Sequence, residues 1–392
     1  MERYVYYSIA LFTALIFFLY LYLLIEKLTA NYGLKKIKKY EKEFSPYLDE
    51  LFITLEDQYA DEQTIASLKD KIKDKTARNI MQNKAIYYIS NFKGNIRKNL
   101  IKLTRDTDLV KQLTTNMKTK DPLKLSLICK QLGELRNKSA VNDLLQALDI
   151  DYADIQYNAL MAISKIGDVD SLIKGFTKIS HRIILSERSL IEIADSFEGN
   201  KAELYEKMIG SVNPLFSSIF IKSAGNYLDL SFNDSIAALI NDDNLEKRLA
   251  AIKAIGQTID FRYIDQIIAC LKDANWQVRA VAAKILGRFG DGCALPALTE
   301  ALQDREWWVR FNSAEAVFKI PGGIKALETV FSGNDNFAKD ILVSTMENCG
   351  VFSQLYLYEH STDLDKRNMA KMVMNYINKT EIGEKVDESE LA

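Results

Sequence analysis

Histidine is almost missing from this chain of 392 residues: His181 and His360 are the two. They stand some 180 residues apart, and neither has a cysteine or carboxylate at metal-ligand spacing such as HExxH. Each therefore reads as a solvated or hydrogen-bonded imidazole rather than a ligand or general base. Cysteine is scarce as well. Cys129, Cys270, Cys293 and Cys349 include no CxxC pair, which favours four buried, reduced small hydrophobes over a disulfide or metal framework. Only five prolines and 17 glycines punctuate the chain, so long helices can form almost anywhere.

Acidic residues are plentiful, yet no isolated pair sits in an apolar setting where a general acid would be tuned. The glycine-rich Gly287-Arg-Phe-Gly290-Asp-Gly292 lacks the preceding strand and following Lys-Ser/Thr of a phosphate cradle, and reads as a turn. No catalytic residue, cofactor-binding residue, cofactor or metal ligand is expected, and the chain is read as a non-enzyme.

Charge is unevenly spread. Residues 26–105 hold 17 Lys+Arg and 11 Asp+Glu, a net of +6, whereas residues 106–392 hold 33 and 41, a net of −8. The first part suits anionic lipid; the second is poorly charged for a nucleic-acid partner, and none is expected.

One long apolar run exists. Val5 to Ile25 is 21 residues without a charge, Gly or Pro. As a helix it spans about 31 Å, the thickness of a bilayer core. Its flanks suit an anchor better than a cleaved signal peptide, which needs a basic leader, a shorter apolar core and a small-residue exit. Arg3 precedes the run; Lys27, Lys35, Lys36, Lys38, Lys39 and Lys42 follow it. That bias predicts a single-pass membrane protein with its C-terminal bulk in the cytoplasm.

Residues 28–60 read as a helical stalk with a break at Ser45-Pro46, its apolar face formed by Leu34, Ile37, Tyr40, Leu48, Leu51, Phe52 and Leu55. The expected organisation is an anchor over 1–27, a stalk over 28–75, a solenoid over 76–380 and a frayed acidic tail over 381–392. From residue 106 the apolar periodicity marks helix pairs: 107–118 with 122–133, 140–148 with 153–166, 169–179 with 184–197 and 201–210 with 214–227. The pattern continues with 232–241 and 244–256, 261–272 and 275–287, 292–303 and 306–319, 323–332 and 336–348, and 351–359 and 364–378.

The central pairs repeat at 31 residues. Asp242…Arg248, Asp273…Arg279 and Asp304…Arg310 each precede a run of small residues, at Ala250-Ala251, Ala282-Ala283 and Ser313-Ala314. A fixed period of this length marks units that stack only on their neighbours. The string Asp273-x5-Arg279-x2-Ala282-Ala283-x2-Leu286-Gly287-x2-Gly290-Asp291-x2-Ala294-Leu295-Pro296-Ala297-Leu298 resembles the HEAT repeat, in the short bacterial form of bilin-lyase-like proteins. The likeness is strong over 232–320, fair over 121–360 and weak before 106. It implies an all-α fold, an α-solenoid of stacked antiparallel helix pairs behind one transmembrane helix, with second helices lining a concave face. It also implies that Arg248, Arg279 and Arg310 bridge to the neighbouring turn's aspartate as a structural ladder; three phosphate-binding arginines are the alternative.

Trp276 and Trp307 share one repeat position, whereas Trp308 aligns with Gln277 and Phe311 with Ala280. Either Trp307 is core with Trp308 on its rim, or Trp308, Arg310 and Phe311 form an exposed partner anchor. The functional expectation is a membrane-anchored protein-interaction scaffold, its partner a membrane enzyme or transport complex. The alternative is a chaperone-like or lyase-like protein acting on a cofactor-bearing partner.

Overall fold

A computed structural model describes residues 2–390. Helices and turns make up the described residues, with no strand among them, so the class is all-α. The chain is an α-solenoid in which successive helix pairs stack, and it falls into two compact units. One comprises Met1–Leu185 with Ser196–Asn200, the other Ser186–Asp195 with Lys201–Ala392.

The first unit begins with α1 (Glu2–Thr54) and α2 (Glu62–Lys71), followed by α3 (Lys75–Asn91), α4 (Gly94–Asp106) and α5 (Leu109–Asn116). It continues through α6 (Pro122–Glu134), α7 (Val141–Ala147), α8 (Ala153–Ile166) and α9 (Val169–Ile179). Within α1 lies a stretch long and apolar enough to cross a bilayer, by length and composition.

The break expected at Ser45-Pro46 does not occur: α1 runs unbroken through Pro46. A proline inside a helix removes one hydrogen bond and crowds the preceding turn. Burial on both sides of it outweighs that cost here. Phe44, Leu48 and Phe52 are all buried, as is Leu55 just past the helix end. The second half of α1 packs on α3, where Phe52 meets Tyr88 edge-on at 5.4 Å, and the Tyr88 hydroxyl donates to Asp49 at 3.0 Å. The apolar face drawn over the whole stalk is accordingly too long, because Leu34 and Ile37 are exposed. Further on, α6 and α8 approach so closely that a Cβ on Gly133 would lie 2.6 Å from the Ala162 Cα.

The second unit holds α10 (Glu187–Asp195), α11 (Lys201–Ile209), α12 (Pro214–Tyr227), α13 (Asn233–Ala237), α14 (Leu245–Thr258) and α15 (Ile264–Ala269). These lead into α16 (Trp276–Phe289), α17 (Leu295–Ala301), α18 (Trp307–Lys319), α19 (Ala326–Ser332), α20 (Asn336–Cys349), α21 (Phe352–Glu359) and α22 (Leu364–Glu390). Second helices α12, α14, α16, α18 and α20 lie side by side. Small residues make this possible: a Cβ on Gly287 of α16 would fall 2.8 Å from the Ala316 Cα of α18.

The α-helical part of each first helix in the clearest repeats is shorter than the periodicity predicts, although 3-10 turns at both ends of α15 carry that helix over the whole of 261–272. Each opens with a 3-10 turn, at Leu230–Phe232, Phe261–Tyr263 and Gly292–Ala294. Asp229, Asp260 and Asp291 accept the backbone N–H two residues on, at 2.9, 3.2 and 2.8 Å, which favours the tighter entry. At the other end, α22 continues as helical backbone to Glu390.

Candidate functional site

In the second unit, the turns before α14, α16, α18 and α20 carry a ladder of charge. Arg279 is 6% exposed. Its Nε and Nη2 donate to the two carboxylate oxygens of Asp304 at 2.7 and 2.8 Å, while Nη1 donates to the carbonyls of Asp273 and Ala274 at 2.9 and 3.2 Å. One guanidinium thus ties its own turn to the next. Arg310 repeats the arrangement, reaching Asp335 at 2.8 Å and the carbonyl of Asp304. Arg248 sits 3.3 Å from Asp273 as an ion pair without hydrogen-bond geometry at Nε, and its Nη1 donates to the Asp242 carbonyl at 2.8 Å.

The first three aspartates of the ladder are not helix caps, whereas Asp335 caps α20, accepting the Ala338 N–H at 3.1 Å. Asn244 and Asn275 cap α14 and α16, while Asp242, Asp273 and Asp304 accept the N–H of Asn244, Asn275 and Glu306 at 2.8, 2.7 and 2.9 Å. Burial pushes the Asp304 carboxyl up, but the Arg279 hydrogen bonds and charge outweigh it and hold the group below its ordinary value. Asp335, 31 residues after Asp304, completes the ladder; the period itself was the signal for it.

Beside the last rungs the surface turns aromatic. Trp307 and Trp308 are 53% and 54% exposed, and Phe337 is 75% exposed. Of the two alternatives for this pair, the one with Trp307 in the core does not hold. At the start of α18 the second-helix core begins with Val309, which is buried, and both indoles fall outside it. Trp307 stacks on Phe311, ring centroids 5.1 Å apart and planes 12° apart, and meets Trp308 edge-on at 4.8 Å. The Arg310 guanidinium lies 6.0 Å from the Phe337 ring centre.

Between α18 and α20 these residues border a groove of about 560 Å³. Trp307, Phe311, Phe337 and Ile341 line it, with Arg305, Arg310, Asp340 and Ser344. Of the three residues proposed as an anchor, Arg310 and Phe311 line the groove and Trp308 stands next to it. Phe337 was missed, although its position gave a sign: earlier repeats hold Asn244, Asn275 and Glu306 there. The tyrosine hydroxyl of Tyr376 donates to Asp340 at 2.6 Å, fixing one carboxylate of the rim.

Neither a histidine nor a cysteine is among the residues lining the groove. His360 approaches the Tyr356 carbonyl at 3.0 Å on the exposed end of α21, and His181 lies in the other unit. Cys129 and Cys270 are buried free thiols, pushed up to about 12 and about 11 by desolvation, whereas Cys293 and Cys349 are exposed, against the burial expected for all four. No group of three or more His, Cys, Asp or Glu is placed to hold a metal among the described residues.

The fold and this site define an α-solenoid built from charge-laddered helix pairs. Residues 232–317, and in an overlapping frame 264–335, match the family of HEAT repeats, so this chain carries HEAT repeats. No curated protein matches it. Among solved structures, an engineered protein is similar at 14% identity and a TM-score of 0.35, covering 80% of this chain and 98% of its own. Kap95p, in a structure with RanGDP, is similar at 12% identity and a TM-score of 0.38, over 87% of this chain and 57% of that one. The CpcE–CpcF phycocyanin lyase of Nostoc is similar at 15% identity and a TM-score of 0.26, over 69% and 94%.

Proposed function

We propose that this protein is a membrane-anchored scaffold that holds a partner protein at the cytoplasmic face of the membrane. The observation that carries the reading is the aromatic cluster of Trp307, Trp308 and Phe337, each at least half exposed around a groove on the second helices. Large aromatics left in water beside arginine are the typical chemistry of protein-binding hot spots. The partner would seat an apolar side chain between Trp307 and Phe337, with Arg310 held in place by Asp335. The apolar stretch of α1 would supply the anchor, and the lysines after it would keep the repeats on the cytoplasmic side. A membrane enzyme or transport complex is the kind of partner such an anchor would keep within reach.

Site-specific photo-crosslinking in native membranes tests this. A photoreactive residue in place of Phe337 should give one discrete protein adduct, and the same residue in place of the exposed Val212 should not. Adduct formation should fall when Trp307→Ala is added. Equal adducts from both positions, or none from position 337, would sink the reading. An adduct that carries a chromophore would favour the lyase-like or chaperone-like alternative.

A further inference from the structure

α1 offers a second surface, away from the face by which it packs. Six lysines follow the apolar run, and the structure sorts them. Lys36 turns toward the body of the first unit, where its ammonium meets Asp74 at 2.5 Å. Lys27, Lys35, Lys38, Lys39 and Lys42 are all exposed. None of these five forms an ion pair among the described residues, whereas Lys36 does. At 3.6 residues per turn the five fall within an arc of about 120°. Glu41 and Glu43, the acids interleaved with them, fall outside that arc by the same count. Leu28 and Tyr32 lie within or beside it and are 60% and 73% exposed. Because α1 is one helix from Glu2 to Thr54, the arc keeps its phase with the apolar run.

We infer that this lysine arc is a binding surface for the phosphates of anionic phospholipid headgroups. The inference rests on the proposed membrane anchoring. Unpaired ammonium groups in a row just beyond an apolar span gain attraction from an anionic leaflet, and a neighbouring leucine and tyrosine suit the interfacial layer. Rigidity adds a condition. Lys42 lies about 26 Å along the helix past Ile25, at 1.5 Å per residue. An upright helix would hold it beyond the headgroups and beyond about one Debye length. Contact along the row therefore requires the helix to lean toward the lysine arc, and contact should weaken from Lys27 to Lys42. In this arrangement lipid charge sets the tilt of α1.

Lysine acetylation footprinting of the full chain in vesicles reads this out. The chain is reconstituted in phosphatidylcholine alone or with phosphatidylglycerol added, pulse-acetylated and mapped by mass spectrometry. In anionic vesicles Lys27, Lys35 and Lys38 should react about five-fold more slowly, Lys39 and Lys42 less so, and the difference should vanish at about 0.5 M salt. Lys36 should be indifferent to lipid charge. Equal reactivity of the arc in both vesicles overturns the inference. Equal protection by inorganic phosphate in neutral vesicles overturns the lipid as its source, and protection only by an acidic polypeptide makes the occupant a protein. Carbonate extraction separates the two levels: a chain that washes out of both vesicles refutes the anchoring itself, whereas a retained chain with no lipid-dependent footprint refutes only the lysine surface.

Discussion

Arg279 and Asp304 are joined by two parallel charge-assisted hydrogen bonds, 2.7 and 2.8 Å long, across 25 residues of sequence. The bond links the entry to one second helix with the entry to the next, so the ladder acts between repeats. Removing one partner of a largely buried charged pair leaves the other without compensation. Arg279→Ala should therefore destabilise the second unit by about 1–3 kcal/mol. Arg248→Ala should cost less, because Arg248 meets Asp273 at 3.3 Å without hydrogen-bond geometry at Nε. Chemical denaturation of both variants checks the order. Lost partner binding with unchanged stability would instead make the arginine row a recognition site.

The same pair sets a pH dependence. The Asp304 carboxyl lies below its ordinary value when folded. A depressed carboxylate contributes stability above its unfolded pKa, about 3.9, and that stability fades as pH falls through the folded value. The gap in melting temperature between the wild type and Asp304→Asn should be full near neutrality and shrink below about pH 4. A gap that is constant down to strong acid would show that Asp304 acts through something other than its charge.

At the groove, Trp307→Ala and Phe337→Ala should each weaken the partner by about 2–4 kcal/mol, or 30- to 1000-fold in affinity. Both side chains are more than half exposed, so the melting temperature should barely move. Trp308 stands beside the groove, and Trp308→Ala should weaken binding less than Trp307→Ala does. Calorimetry against the crosslinked partner, with a parallel thermal scan, decides. Unfolding by either tryptophan variant would overturn the surface assignment.

Close approach of α16 and α18 makes a further demand. A Cβ on Gly287 would stand 2.8 Å from the backbone of Ala316, which cannot yield as a flexible side chain would. Gly287→Val should destabilise the second unit by roughly 1–3 kcal/mol or more. The matched control, Gly292→Val, meets open space and should be tolerated. Comparable losses at both sites would mean that close helix approach is not the constraint.

Truncation probes α1. A chain starting at Glu43 keeps Phe44, Leu48, Phe52 and Leu55, which are buried. It should leave the membrane fraction and remain cooperatively folded by circular dichroism. One starting at Asp57 loses those four side chains and should unfold at a markedly lower temperature. If the shorter chain melts like the longer one, the second half of α1 is not part of the first unit's core.

Much of this protein was legible in its residues. The 31-residue period is local information: Asp, Arg and small residues recur because each unit must present the same surface to the next. Apolar periodicity also located some helices, and α8 and α12 begin and end where it places them, whereas the α-helical parts of the first helices of the central repeats are shorter. The apolar run of α1 could also be read directly, since bilayer thickness is matched by length and composition alone. What the tertiary structure decided is where each face points. Whether Trp307 is core depends on what covers the start of α18. Whether Pro46 breaks a helix depends on burial against α3. Whether a lysine is free depends on an aspartate 38 residues away. Those answers come from neighbours distant in sequence, which a period cannot supply.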